Sequence, residues 1–444
     1  MKKVLYGFGG LSYSVISQTI ANFFMFFATS VLGLKGAFVG IIIGISTIWD
    51  GVSDAIVGFL SDNYPLGKMG RRNGYMLIAT FGMSIFNIAL WCVPNSLGVG
   101  VKFIWILVSL VLLETFNTMF ATPYTALGND LATNNNDRTK YNSSNTIFYL
   151  IGIIIPSILM VIFLPNTEEY PLGQLNPKGY VYIAFVTSSI CLLFGLICTL
   201  TTTDKYYKVR FGSKQKFSLK VLGQGFVRTV KNPRLRPLII GYICASSITV
   251  FLCSIGLHFF TYSLFYSTSQ ITILLFTLII GNILSQSLWL FLSKRLRKKP
   301  SLILGFLITI FSVFGIITVY FFRVELYEFS FYINLVLILI CGVGSGALYT
   351  LPVSLYGDAI KEISNGNDSN ASYLGSLTFA SNIANSLSQL IIGVLLDLIK
   401  FDSSLEVQSL GVQGGLALIL FIGIQTFLIL GCFVYSGYRE KREK

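Results

Sequence analysis

Residues 36–61 read GAFVGIIIGISTIWDGVSDAIVGFLS. The run is apolar for longer than the roughly twenty residues a helix needs to cross a hydrocarbon core. It does not alternate in period two, so it predicts a helix rather than a barrel strand. In lipid the backbone has to satisfy its own hydrogen bonds, and those two structures do so. Two aspartates, Asp50 and Asp54, nevertheless lie inside the run. Four residues apart, they share one helix face a single turn from each other. Ionisable groups at that depth are costly and mark a functional site by default.

Runs of the same kind recur along the chain. Helices are expected at about 10–33, 36–61, 74–95, 102–127, 143–164, 179–201, 237–266, 269–293, 300–322, 329–357, 371–399 and 411–436. Only 11% of the 444 residues are charged, 54% are hydrophobic, and the mean hydropathy is +0.72. A soluble domain carries about 25% charged residues, so these cannot clothe a water-soluble surface. The expectation is an all-α membrane protein with twelve transmembrane helices, embedded in the lipid bilayer.

The net charge of +13 fits basic cytoplasmic loops rather than a nucleic-acid partner. An even number of spans puts both termini on one side. On that side lie 27 of the 32 Lys and Arg, all except Lys35, Lys102, Lys178, Arg323 and Lys400. Both termini are therefore expected in the cytoplasm, with the protein in the cell membrane. The opening Met-Lys-Lys precedes an apolar run too long for a signal-peptide core, so it is read as the approach to the first span. Seven cysteines lie within apolar runs without metal-ligand spacing and read as packing residues.

The longest basic-side loop divides the chain. The expected organisation is a six-helix bundle over 1–201, a basic amphipathic linker over 202–236, a second bundle over 237–436 and a tail over 437–444. The linker interleaves Phe217, Leu219, Val221, Leu222, Phe226 and Val227 with Lys216, Lys220 and Arg228, as in a helix lying on a membrane face. The halves repeat: Phe59-Leu60-Ser61 closes the second span, and Phe291-Leu292-Ser293 closes the eighth, each before basic residues. Two six-helix pseudo-repeats are the plan of the major facilitator fold, whose substrates bind near the midplane.

Asp50 and Asp54 repel unless a sodium ion or a shared proton sits with them. Ser53 offers a neutral oxygen between them, and Thr118 in the fourth span offers another. The alternative is a pair of structural salt bridges, but no Lys or Arg lies deep in any expected span. Glu114, four before Thr118, reads as a proton site or as a carboxylate satisfied by Asn117. His258 is the only histidine and reads as a packing group or a proton relay. Asp358 and Asp397 fall near helix ends, and Asp62 and Asp130 at the interface. Trp49, and Tyr124 after Pro123, offer stacking faces for a sugar ring or packing surfaces.

Trp49-Asp50-x-x-x-Asp54 resembles the signature of the glycoside–pentoside–hexuronide:cation symporters, the melibiose permease-like family. Other fragments agree in order: Tyr6-Gly7-x-Gly9, Val31-Leu32-Gly33-Leu34, Gly70-Arg71-Arg72, Pro123-Tyr124-x-Ala126-Leu127, Asn232-Pro233 and Asp358. The resemblance spans nearly the whole chain. It implies sodium- or proton-coupled sugar symport by alternating access, with no other cofactor. Carried over, the cation site is Asp50, Ser53 (often Asn in the family), Asp54 and Thr118. The sugar contacts depart: charged positions of the family fall at Ser14, Ala121, Asn145 and Ser381. Ser14, Trp49, Tyr124, Asn145, Ser381 and Asn382 are the substrate-binding candidates. A lipid-like or peptide-like solute, carried or exported, is the alternative cargo. No nucleophile–base pair, metal cluster or phosphate-binding loop points to an enzyme, and the protein is expected to act as a monomer.

Overall fold

The computed structural model describes all residues except 1, 65, 67, 68, 70, 71, 95, 134, 203–226, 228, 365–369 and 439–444. Most of the linker segment expected to lie on the membrane, and Lys68, Gly70 and Arg71, therefore fall outside the described residues. The described chain holds twelve helices long and apolar enough to cross a membrane. They are α1 (Lys2–Phe26), α2 (Gly36–Asn63), α3 (Asn73–Trp91), α4 (Val99–Leu131), α5 (Asn135–Phe163), α6 (Pro177–Thr201), α7 (Arg236–His258), α8 (Thr268–Leu296), α9 (Lys298–Phe321), α10 (Ser330–Ser364), α11 (Asn370–Leu398) and α12 (Leu410–Gly437). The expected number of spans and their order hold.

Several helices outrun their apolar segments. α1 begins at Lys2 rather than near 10, and α5 at Asn135 rather than near 143; α4 runs to Leu131 and α10 to Ser364. Ion pairs at these polar extensions account for the extra turns. Lys3 of α1 bonds Asp137 of α5 at 2.6 Å. Arg72 lies 2.8 Å from Asp130 at the end of α4 and 3.1 Å from Asp62 at the end of α2. Asp358 and Glu362 of α10 pair with Lys298 and Arg234. Hydropathy cannot register turns held by charge.

The chain divides into two compact units, Met1–Phe217 and Ser218–Lys444. In the first, α1 packs on α5 and α6, α2 on α4, and α3 on α4 and α6. In the second, α7 packs on α11 and α12, α8 on α10, and α9 on α10 and α12. The two packing schemes are the same with helix numbers raised by six. Even the irregularities repeat. A π-helical turn, Phe27–Val31, follows α1, and another, Phe259–Ser263, follows α7. Each leads into a residue of positive φ, Gly33 at 70° and Phe265 at 57°. The extra residue in a π turn leaves the ladder one step out of register, and a left-handed residue turns the chain toward the next helix.

Candidate cation site

The site is built within the first unit, where α2 packs against α4. Asp50 and Asp54 stack one turn apart on α2. On α4, Thr118 and Thr122 stack with the same spacing and meet them. Thr118 Oγ1 donates to Asp50 Oδ1 at 2.7 Å. Thr122 Oγ1 donates to Asp54 Oδ1 at 3.0 Å. Ser53, buried at 2% exposure, donates to the Asp50 backbone carbonyl at 3.0 Å and lies 3.2 Å from Thr118 Oγ1. Two carboxylates and three hydroxyl oxygens thus line one seam. The four residues expected from the sequence come together there. Thr122 was not among them, although its four-residue spacing from Thr118 matches that of the aspartates and was readable.

A carboxylate accepts hydrogen bonds and cannot donate them when ionised. Among the described residues no Lys or Arg pairs with Asp54 or Glu114. Glu114, one turn from Thr118, accepts from Asn117 Nδ2 at 3.3 Å and lies within electrostatic reach of both aspartates. Asn117 Nδ2 also lies 3.3 Å from Ser17 Oγ. Asn117 Oδ1 is buried without a hydrogen-bond partner among the described residues. Around Asp54 and Glu114 the seam is therefore rich in acceptor oxygen, with no basic partner among the described residues. Among the described residues no three His, Cys, Asp or Glu converge at metal-ligand range. A cation here would take two carboxylates and complete its shell with neutral oxygens, a set suited to a monovalent ion or a proton.

The substrate candidates occupy varied settings. Trp49, 38% exposed, donates from its indole nitrogen to Thr115 Oγ1 at 2.8 Å. Tyr124 is fully buried and stacked on Tyr6, with ring centroids 4.5 Å apart. Its hydroxyl lies 2.9 Å from the Tyr6 carbonyl and 3.0 Å from Asn145 Oδ1. Ser14 is buried against Gly152 of α5 and bonds the Leu11 carbonyl at 3.3 Å. In the second unit Ser381 lies 3.2 Å from Ser246, and Asn382 is half-buried on the same helix. His258 is buried, with Nδ1 3.1 Å from the Ser254 carbonyl and its ring edge-on to Phe401.

Twelve spans in two like-packed units define a membrane transporter of the major facilitator class, not an enzyme. The chain belongs to the MFS/sugar transport protein family, whose profile matches residues 5–439. It is 22% identical to the sodium-dependent lysophosphatidylcholine symporter 1-A of Danio rerio, over 99% of this chain and 86% of that one. It is 23% identical to the isoprimeverose transporter of Lactiplantibacillus pentosus, over 68% of this chain and 60% of that one. An uncharacterized symporter of Synechocystis matches at 28% identity over 42% of this chain and 35% of its own length. Among solved structures, a point mutant of the nucleoside transporter NupG aligns with a TM-score of 0.71, at 15% identity, over 99% of this chain and 100% of that one. The family resemblance read from the sequence is borne out.

Proposed function

We propose that the protein is a secondary active symporter in which Na+ or a proton at Asp50 and Asp54 drives the passage of a glycoside or related small solute. Ser53, Thr118 and Thr122 supply neutral oxygens to the ion. The observation that carries this reading is the paired ladder of α2 carboxylates and α4 hydroxyls, with Asp54 served by no basic side chain among the described residues. The ion relieves the repulsion of the two α2 carboxylates with each other and with Glu114 of α4, and the ion and the solute favour each other's binding. Sodium is the ion named for the full-length lysophosphatidylcholine relatives, which supports Na+ over a proton. Glu114 is the proton site in a proton-coupled cycle. Trp49, Ser14, Tyr124, Asn145, Ser381 and Asn382 are the solute candidates. The 27 basic residues on the side of the termini support a cytoplasmic location for both ends in a cell-membrane monomer.

A second cargo class is supported by one observation. Positions that carry charge in the sugar symporters hold Ser14, Ala121, Asn145 and Ser381 here, which suits a solute with a large apolar part. The test is transport in proteoliposomes with an inward Na+ gradient, a pH gradient or neither, offering neutral glycosides, hexuronides and lysophospholipids in turn. Gradient-driven accumulation of one class, lost in Asp54→Asn, is the expected result. Transport insensitive to both gradients would overturn the symport reading.

A further inference from the structure

The repeat between the units extends into the cation seam itself. The two π turns, the two positive-φ residues and the two Phe-Leu-Ser tripeptides each lie 232 positions apart. On that register Asp50 corresponds to Asn282, Ser53 to Ser285 and Asp54 to Gln286. These three face α10 as their counterparts face α4. Ser345 Oγ lies 3.1 Å from Asn282 Oδ1, in the place that Thr118 takes against Asp50, and 2.8 Å from the Cys341 carbonyl of its own helix. Thr350 Oγ1 donates to Gln286 Oε1 at 2.5 Å, as Thr122 does to Asp54, although the two α10 hydroxyls lie five residues apart rather than four and do not keep the offset of 232. Ser285 Oγ donates to the Asn282 carbonyl at 2.9 Å, as Ser53 does to that of Asp50. Ser285 and Ser345 are buried at 3% and 5%, close to the 2% of both Ser53 and Thr118.

We propose that the α8–α10 seam is the uncharged counterpart of the α2–α4 cation site, held shut by its own amide hydrogens where the first site uses the coupling ion. The proposal rests on the reading of Asp50 and Asp54 as that ion's ligands. Its chemistry is a balance of donors. In the first unit the carboxylates add acceptors only, and the deficit is met by a cation. In the second, an amide brings two hydrogens with each carbonyl oxygen. Gln286 Nε2 directs both of its hydrogens to backbone carbonyls, of Asn282 at 3.0 Å and of Gly346 at 3.2 Å. The glutamine head thus bridges α8 to α10, the task assigned to the ion between α2 and α4.

The backbones differ. Just before the first polar residue of each set, Trp49 bonds Thr115 in the first unit, while Gly281 meets Gly342 in the second, where a side-chain carbon on either glycine would lie 3.1 Å from the other's Cα. Small residues let membrane helices approach closely. The cavity bordered by Asn282, Ser345 and Thr309 measures only about 20 Å³, about the room one water needs. The Asn282–Ser345 part of the second seam is closed by geometry and neutral hydrogen bonds, while Gln286 and Thr350 hold its other end at the border of a cavity of about 670 Å³; ion sensitivity is confined to the first seam.

Hydrogen exchange of the purified full-length protein in nanodiscs, in Na+ against K+, tests this. An ion that bridges a seam slows its opening by 1 + [L]/Kd, about tenfold at ten times its Kd. Na+ is expected to slow exchange in segments covering 46–54 and 115–122 by about that factor, and to leave 281–286 and 342–350 unchanged. In Asn282→Asp/Gln286→Glu the second seam is expected to exchange faster in K+ and to recover in Na+. In Gln286→Met, which removes the donors without adding charge, it is expected to exchange faster in both salts while the α2–α4 response persists. Slowing of the wild-type α8–α10 seam by Na+ would overturn the proposal. So would unchanged α8–α10 exchange in Gln286→Met, or a double variant that loosens in K+ without recovery. A wild-type α2–α4 seam that answers neither Na+ nor lowered pH would instead defeat the symport reading, and the two variants would still decide whether amides close the second seam.

Discussion

Thr118 on α4 donates a 2.7 Å hydrogen bond to Asp50 on α2, and one turn along each helix Thr122 does the same for Asp54. The hydroxyls orient the carboxylates without neutralising them.

Asp54→Asn replaces one anionic oxygen by an amide that Thr122 still reaches. Accumulation driven by the ion gradient should fall to the level of equilibration, while the melting temperature stays near wild type. Uptake ratios in Na+ and in choline, with size-exclusion profiles of the same preparation, check both halves of the expectation.

Thr122→Val keeps the shape and removes the hydroxyl. An oxygen facing a charged group contributes about 1.5–3 kcal/mol, so the concentration of ion giving half-maximal uptake should rise about tenfold or more, with maximal rate less affected. Ion titration of uptake, with Thr125→Val as a control on an exposed face of the same helix, reads the difference.

Arg72 sits between Asp62 and Asp130 with only 8% of its side chain exposed. Removing it leaves two carboxylates at the ends of α2 and α4 without their shared cation. Both are partly solvated, so Arg72→Gln should cost about 1.5–3 kcal/mol, less than a fully buried pair would. Arg72→Lys should recover only part, because an ammonium lacks the planar fork that reaches two partners. Thermal unfolding in detergent measures both.

Gly33 and Phe265 are equivalent positions with positive φ. A left-handed conformation costs a non-glycine residue about 1–2 kcal/mol. Gly33→Val should therefore lower stability by at least about that amount, and Phe265→Gly should raise it by up to about 1 kcal/mol. Melting temperatures of the pair should move in opposite directions.

The Tyr124 hydroxyl lies between the Tyr6 carbonyl of α1 and Asn145 of α5. Tyr124→Phe and Asn145→Ala should each destabilise by about 1 kcal/mol. Because they share one interaction, the double variant should cost less than their sum. A thermodynamic cycle on unfolding provides the coupling energy.

Much of this protein was legible in its sequence. Twelve apolar runs dictate twelve spans, because a bilayer admits few other structures. The acidic pair in residues 36–61 marks α2 as the candidate functional helix, because charge in hydrocarbon is costly to keep without use. The ordered fragments around that pair identify the family. Helix ends at Lys2, Asn135 and Ser364 were not legible, because ion pairs between distant segments hold those turns where hydropathy has already fallen. Thr122 was visible only as one more threonine until α4 was packed on α2. The tripeptide offset of 232 already sets Asn282 and Gln286 opposite Asp50 and Asp54 in the sequence. Which hydroxyls of α10 they meet needed the tertiary structure, because hydrogen-bond partners are set by which helices pack, and a linear sequence does not record that.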